Sequence, residues 1–282
     1  WAGTAAAGIE DFLVEEGGRL GEVYGYKTDG FYTADDFTFD AEKGTYALKA
    51  GVNDCSSLIG GKVYPGSIKL KANEDGEYKK ERLGNTVPIV SGGFGLNARW
   101  KGFDFTAFFN YSLENKIVNA TKLGSSFYSG SSKNWNINDH FTSANRYSWI
   151  DPSTGTNLLS SASIKANGEA WTINRLNEVN TGSSIWNPAA ATVMPLVDWA
   201  VEDGSFLRVN NITIGYTLPK LFVSKLNIQN IRIYVTGYNL HCFTKYSGTD
   251  PEVDCCTSTP MTPGIDYAAY PKSRSFVGGI NV

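Results

Sequence analysis

The stretch Asp203-Gly-Ser-Phe-Leu-Arg-Val-Asn-Asn-Ile-Thr-Ile-Gly-Tyr-Thr-Leu-Pro219 alternates apolar and polar residues. Leu207 and Val209 share one side, and Ile212, Ile214, Tyr216 and Leu218 continue it after a one-residue slip at Asn210-Asn211. Arg208, Thr213, Gly215 and Thr217 are polar or small. A period of two with one apolar face predicts a β-strand, and the doubled Asn predicts a bulge. A second limb, Ile231-Arg-Ile-Tyr-Val-Thr-Gly-Tyr-Asn-Leu240, repeats the pattern after a short basic turn. Each limb is ~10 residues or longer, the length at which a tilted strand crosses a bilayer.

Upstream, residues 88–111 predict a hairpin. Phe94, Leu96, Ala98 and Trp100 share a face, and after the turn at Lys101-Gly102 so do Phe103, Phe105, Ala107, Phe109 and Tyr111. Gly93, Gly95, Asn97, Arg99, Asp104, Thr106, Asn110 and Ser112 take the other face. Aromatic residues at both ends of an apolar band predict the interfacial girdles of an outer-membrane barrel. On this reading Phe94, Leu96, Phe103, Phe105, Phe109, Ile212 and Ile214 face lipid. Arg99, Asp104, Asn110, Arg208 and Thr213 face the lumen. The competing architecture is a soluble β-sandwich with one buried face.

The linking segments separate the two architectures. They run long (33–86), short (101–102), long (119–203), short (219–229) and long (246–272). A barrel with long outer loops and short inner turns has that alternation. Six strands are expected, near 20–32, 88–100, 103–118, 205–218, 230–244 and 273–282, with a turn of helix after Pro219. Segment 119–203 shows no clear period and is expected to be one long extracellular loop, rich in Ser, Asn and Thr. Trp135, Trp149, Trp171 and Trp186 lie within it, as does Trp199. Rings among amide and hydroxyl side chains suit sugar stacking and protein contact alike. They suit equally a small core of the loop itself.

Composition agrees with an all-β chain: of 282 residues, 30 are Gly, 13% are aromatic and only 2 are Met. Mean hydropathy is −0.24, and no run of ~18 apolar residues predicts a transmembrane helix. A net charge of −3 lacks the basic footprint of a nucleic-acid binder. Cys55, Cys242, Cys255 and Cys256 have no metal-ligand spacing, and three pairings among them stay open. His140 and His241 have no motif-level nucleophile beside them. No phosphate-binding loop is present. No enzyme activity, metal or cofactor is therefore expected. Trp1 opens the chain without Met or a charged-then-apolar leader, so the expectation is that it starts inside a longer protein.

Several segments, in order, carry a family resemblance. Tyr24-Gly-Tyr-Lys-Thr-Asp-Gly-Phe, Pro65-Gly-Ser-Ile-Lys, Trp100-Lys-Gly-Phe-Asp-Phe-Thr-Ala-Phe-Phe, the stretch from Asp203, Val235-Thr-Gly-Tyr-Asn-Leu and Phe243-Thr-Lys-Tyr-Ser-Gly-Thr-Asp-Pro-Glu-Val resemble the C-terminal part of SusC/RagA-type TonB-dependent outer-membrane transporters. The resemblance implies a plugged, twenty-two-stranded barrel in the bacterial outer membrane that imports oligosaccharides or peptides. It implies as partners a SusD/RagB-like surface lipoprotein, TonB acting through a plug absent from this chain, and the N-terminal remainder of the transporter. Six strands cannot close so wide a barrel, so residues 1–282 would be its C-terminal segment. Many family members carry an acidic calcium-like loop. Here Asn73-Glu-Asp-Gly-Glu lacks alternating oxygen ligands and is expected to be a solvated turn. The alternative function is a soluble carbohydrate-binding module.

Overall fold

The predicted hairpin forms with unbroken register. Strands β1 (Val90–Trp100) and β2 (Phe103–Leu113) pair antiparallel from Val90 opposite Leu113 to Trp100 opposite Phe103. Lys101 (φ 47°) and Gly102 (φ 90°) are both left-handed, the two-residue turn whose twist matches the flanking strands. In this computed structural model, residues 11–128, 136–223, 228–254, 261–267 and 270–282 are described. Strands β3 (Phe206–Thr217), β4 (Arg232–Thr244) and β5 (Ser275–Asn281) complete a sheet of order β5-β4-β3-β2-β1. All its neighbours are antiparallel.

The slip read at Asn210-Asn211 is a bulge. Against β2, Val209 lies opposite Phe109 and Asn211 opposite Phe108, so Asn210 is the extra residue. Against β4, Val209 lies opposite His241 and Asn211 opposite Tyr238. The partner strand therefore bulges too, by Asn239 and Leu240, with Asn239 at φ 50°. Through the bulge, Leu207 and Val209 stay on the face that carries Ile212, Ile214 and Tyr216.

Five of the expected strands are in this sheet. The sixth, near 20–32, is not. Glu22–Gly25 and Thr28–Phe31 are short separate strands, the second paired with Ile68–Leu70. The residues between them leave the ladder: the Tyr26 N–H bonds to the Leu196 carbonyl and Lys27 pairs with Glu81. The turn of helix after Pro219 is Lys220–Val223.

The chain divides into two units. The sheet belongs to one, together with Phe12–Glu22, Gly84–Val118 and Glu202–Val282. The other gathers Val23–Leu83 and Asn119–Val201, whose sequences, apart from the strand expected up to residue 32, read as loop. Its core contains Val23, Tyr32, Phe37, Ile59, Ile68, Leu70, Tyr147, Leu158, Ile164, Leu176 and Val197, each almost wholly buried. The hairpin Phe37–Asp40 with Thr45–Leu48 packs against a helix, Ser161–Val179. That helix starts at the Ser160 cap and breaks at Gly168 (φ 78°, ψ 177°). Its first turns offer Ser, Ala, Lys and Asn in place of an apolar stripe, so helical periodicity is absent from the sequence.

Candidate functional site

The register sorts the sheet into two chemically distinct faces. Phe94, Leu96, Phe103, Phe105, Phe109, Ile212 and Ile214 occupy one, with Trp100, Tyr216, Ile233, Val235, Phe276 and Ile280. Ile214 is 56% exposed there. Rings pair across strands on this face: Phe94 stacks on Phe109 at 4.9 Å and Phe103 meets Tyr216 at 4.5 Å. Arg99, Asp104, Asn110, Arg208 and Thr213 occupy the other face, where the Thr213 and Thr236 hydroxyls bond at 2.8 Å. That second face is less uniform than its sequence suggests. Phe108, Tyr234 and Tyr238 also stand on it by register.

At the loop end of the polar face an ionic cluster is built from three of the sequence segments. Arg208, only 3% exposed, donates from Nη2 to Asp250 Oδ1 (2.5 Å) and from Nη1 to Asn239 Oδ1 (2.6 Å). Its Nε is paired with Glu252 at 2.5 Å. Glu252 also accepts from Asn110 Nδ2 (3.0 Å) and pairs with Lys272 Nζ (2.7 Å). The left-handed Asn239 turns its amide to donate to the carbonyls of Lys272 and Ser273. Two cations and two carboxylates thus neutralise one another, which is what a buried charge requires. The cluster ties Asp250, Glu252 and Lys272 to strands β2, β3 and β4. A cavity of about 380 Å³ opens beside it, lined by Asn110, Ser112, Phe206, Pro251 and Glu252 among others.

At the short-turn end, Asp104 on β2 and Arg232 on β4 join over the strand between them. Arg232 donates to both carboxylate oxygens, at 2.9 and 2.5 Å, a bidentate geometry favoured by guanidinium. The intervening residue on β3 is Gly215. A Cβ there would lie 2.5 Å from both Arg232 Nη2 and Asp104 Oδ1.

The tryptophans of segment 119–203 divide by environment. Trp186 is core, 4% exposed, with its Nε1 donating to the Ser126 carbonyl and its ring edge-on to Phe141 and Trp199. Its burial removes it from any surface contact. Trp149 is half-buried and fixed by a 2.6 Å bond from Nε1 to the Pro65 carbonyl. Trp171 is 42% exposed on the helix. Trp135 lies outside the described residues. Trp149 continues an aromatic row, with Tyr64 at 5.6 Å and Tyr46 a further 6.3 Å away.

The Asn73 turn is closed by its own side chain, whose Oδ1 accepts from the Asp75 and Glu77 amides. Among the described residues, no group of three or more His, Cys, Asp or Glu side chains is placed to hold a metal. Cys55 and Cys242 are free thiols, and Cys255 and Cys256 lie outside the described residues. The ionic cluster escaped the sequence reading because Asp250 and Glu252 fall in a loop without period. Only Arg208 and Asn110 carried a signal, as polar positions in strands.

No family model matches the chain. TonB-dependent receptor P3 of Formosa agariphila is 29% identical over 96% of the chain, and receptor P39 of the same organism is 26% identical over 96%. TonB-dependent receptor SusC of Bacteroides thetaiotaomicron is 33% identical over 30% of the chain. The RagAB peptide transporter structure superposes with a TM-score of 0.58 at 20% identity, over 96% of the chain. The chain spans about a quarter of those lengths: 23% of P3, 26% of P39 and 23% of the RagAB chain. These relatives are receptors and transporters rather than enzymes. With the antiparallel sheet and its two faces, these likenesses make the chain similar to TonB-dependent receptors of the bacterial outer membrane, SusC among them, and give it the fold of the matching part of the RagAB transporter.

Proposed function

We propose that the chain forms part of the wall and outer loops of a transporter that imports oligosaccharides or peptides across the outer membrane. The observation that carries this reading is the division of the sheet into a predominantly apolar face, broken by His241 beside the bulge, and a face holding one buried and one part-buried ion pair. In a lipid-embedded barrel, outward positions are apolar and inward positions are free to carry charge. Phe94, Leu96, Phe103, Phe105, Phe109, Ile212 and Ile214 would then meet lipid. Arg99, Asp104, Asn110, Arg208 and Thr213 would line the lumen side. Residues 119–203 would lie outside the cell.

The remainder of the barrel and a plug would come from the rest of the transporter, and energy would reach it through TonB. A SusD/RagB-like lipoprotein would cap it, with exposed aromatics such as Trp171 available for lid or cargo contact. The names of the relatives support this assignment, since SusC is a TonB-dependent receptor and RagAB is described as a peptide transporter. The test is uptake of labelled oligosaccharide and peptide mixtures by cells with and without the gene, repeated in a strain lacking TonB. Uptake that needs both genes supports import. Uptake indifferent to either, or recovery of the protein in the soluble fraction, overturns it.

A further inference from the structure

We infer that Tyr46, Tyr64, Trp149 and Lys62 form a subsite for an acidic saccharide, one bearing a carboxylate or sulfate on its ring. Lys62 is exposed, and its Nζ lies 4.9 Å from the Tyr46 ring centre and 5.0 Å from that of Tyr64. Two ring faces hold this ammonium in place, and among the described residues no carboxylate is paired with it. Cation–π contact orients a lysine without neutralising it, so the charge remains available to an anion from outside. Burial, then the neighbouring Tyr64, pushes the Tyr46 phenol up to about 12, so this ring beside the ammonium is neutral at ordinary pH.

The rings beside this cation are fixed. Trp149 spends its only donor on the Pro65 carbonyl, so what it can offer a ligand is a ring face. Tyr46 and Tyr64 are inclined at 56° and Tyr64 and Trp149 at 42°, a row of half-exposed faces that bends. Phe37 and Phe39 support Tyr46 from behind at 6.0 and 5.7 Å. A bent row of rigid aromatic faces suits the apolar faces of successive sugar rings. An extended peptide would instead seek backbone donors and acceptors, which these side chains do not supply. Lys62 adds preference for an anionic ring substituent through a charge-assisted bond.

This subsite deepens the import reading, and it is tested without transport. The full transporter, purified in detergent, is titrated calorimetrically with tetragalacturonate, with neutral cellotetraose and with tetraglutamate peptide. Tetragalacturonate should bind more tightly than either other probe. Lys62→Gln should weaken it about tenfold or more, as loss of one charge-assisted bond does, while Lys62→Arg retains most of the affinity. Trp149→Phe should weaken both saccharides and leave the peptide unchanged. Equal binding of cellotetraose removes the role of Lys62. Tighter binding of the peptide means a peptide subsite and overturns the saccharide assignment, as does failure of all three probes. Intact TonB-dependent uptake with no saccharide binding would overturn this subsite alone. Binding without any TonB-dependent uptake would overturn import and leave the subsite standing.

Discussion

Arg208 and Asp250, separated by 42 positions in sequence, meet through a 2.5 Å hydrogen bond with each side chain only 4% exposed. The arginine stands on a strand beside the double bulge, and the aspartate lies on the loop that follows β4. Glu252 and Asn239 complete the guanidinium's shell. Removing Arg208 therefore leaves Asp250 and Glu252 facing each other without their shared cation. Breaking a buried pair from one side costs about 3–5 kcal/mol. Arg208→Met should lower the temperature at which the protein loses its heat-modifiable electrophoretic mobility. It should also expose residues 245–254 to protease. The triple change with Asp250→Asn and Glu252→Gln should recover much of that loss, because no uncompensated charge remains buried; Lys272, which loses Glu252, is half exposed. A triple variant less stable than Arg208→Met would show that the cluster is not governed by charge balance.

Gly215 lies beneath the second ion pair. The bridge from Asp104 to Arg232 passes over it, in the space a larger residue's side chain would fill. Gly215→Val should displace the guanidinium and separate the pair. Its stability should then match that of Asp104→Asn, and the two changes should be far from additive. Additive losses would mean that the glycine serves the backbone and not the bridge.

How much of this was legible in the sequence depended on period and partner. Strands β1 to β5 announced themselves, since each alternates for long enough to be distinguished from noise. The bulge on β3 was visible as Asn210-Asn211 because it interrupts an otherwise regular alternation. Its counterpart on β4 was not, since Asn239 and Leu240 fall where the apolar pattern is already weakened by Gly237. The short strands Thr28–Phe31 and Ile68–Leu70 pair with each other across about forty residues, which local periodicity cannot reveal. For the same reason segments 33–86 and 119–203 read as loop. Their core residues, such as Phe37, Tyr147 and Leu176, are scattered singly among polar ones. Trp186 and Trp149 were found as tryptophans in a polar stretch, but only their hydrogen bonds and neighbours distinguish a core ring from an available one.

Acid should act on the second unit through Asp151. Arg175 donates to both oxygens of its carboxylate at 2.7 Å, and Ser153 adds bonds from its hydroxyl and amide. These hold Asp151 well below the usual carboxylate range. A group with a lowered folded-state pKa is protonated first in the unfolded chain. Its contribution is therefore complete above about pH 4, the ordinary range for Asp, and is lost as pH falls further. Protease susceptibility of segment 151–179 should rise on going from pH 7 to pH 3. Asp151→Asn should already be susceptible at pH 7 and should show a shallower rise. A wild-type and variant rise of equal steepness would assign the acid sensitivity to another group.

Ile214 and Thr213 test the orientation of the whole sheet. Ile214 stands on the apolar face between Phe105 and Val235, while Thr213 lies on the opposite face between Thr106 and Thr236. If the apolar face meets lipid, an arginine at Ile214 costs about 2–4 kcal/mol near the bilayer midplane. At Thr213 the loss is one hydroxyl bond to Thr236, about 1 kcal/mol. Ile214→Arg should therefore depress the heat-modification temperature clearly, and Thr213→Arg only slightly. Two neighbouring positions with the same backbone pairing control for strand propensity and for position along the strand. A greater loss from Thr213→Arg would mean that the polar face is the enclosed and intolerant one, packed against protein. Equal losses would mean that both faces are covered, in which case the strand belongs to a sandwich and not to a barrel wall.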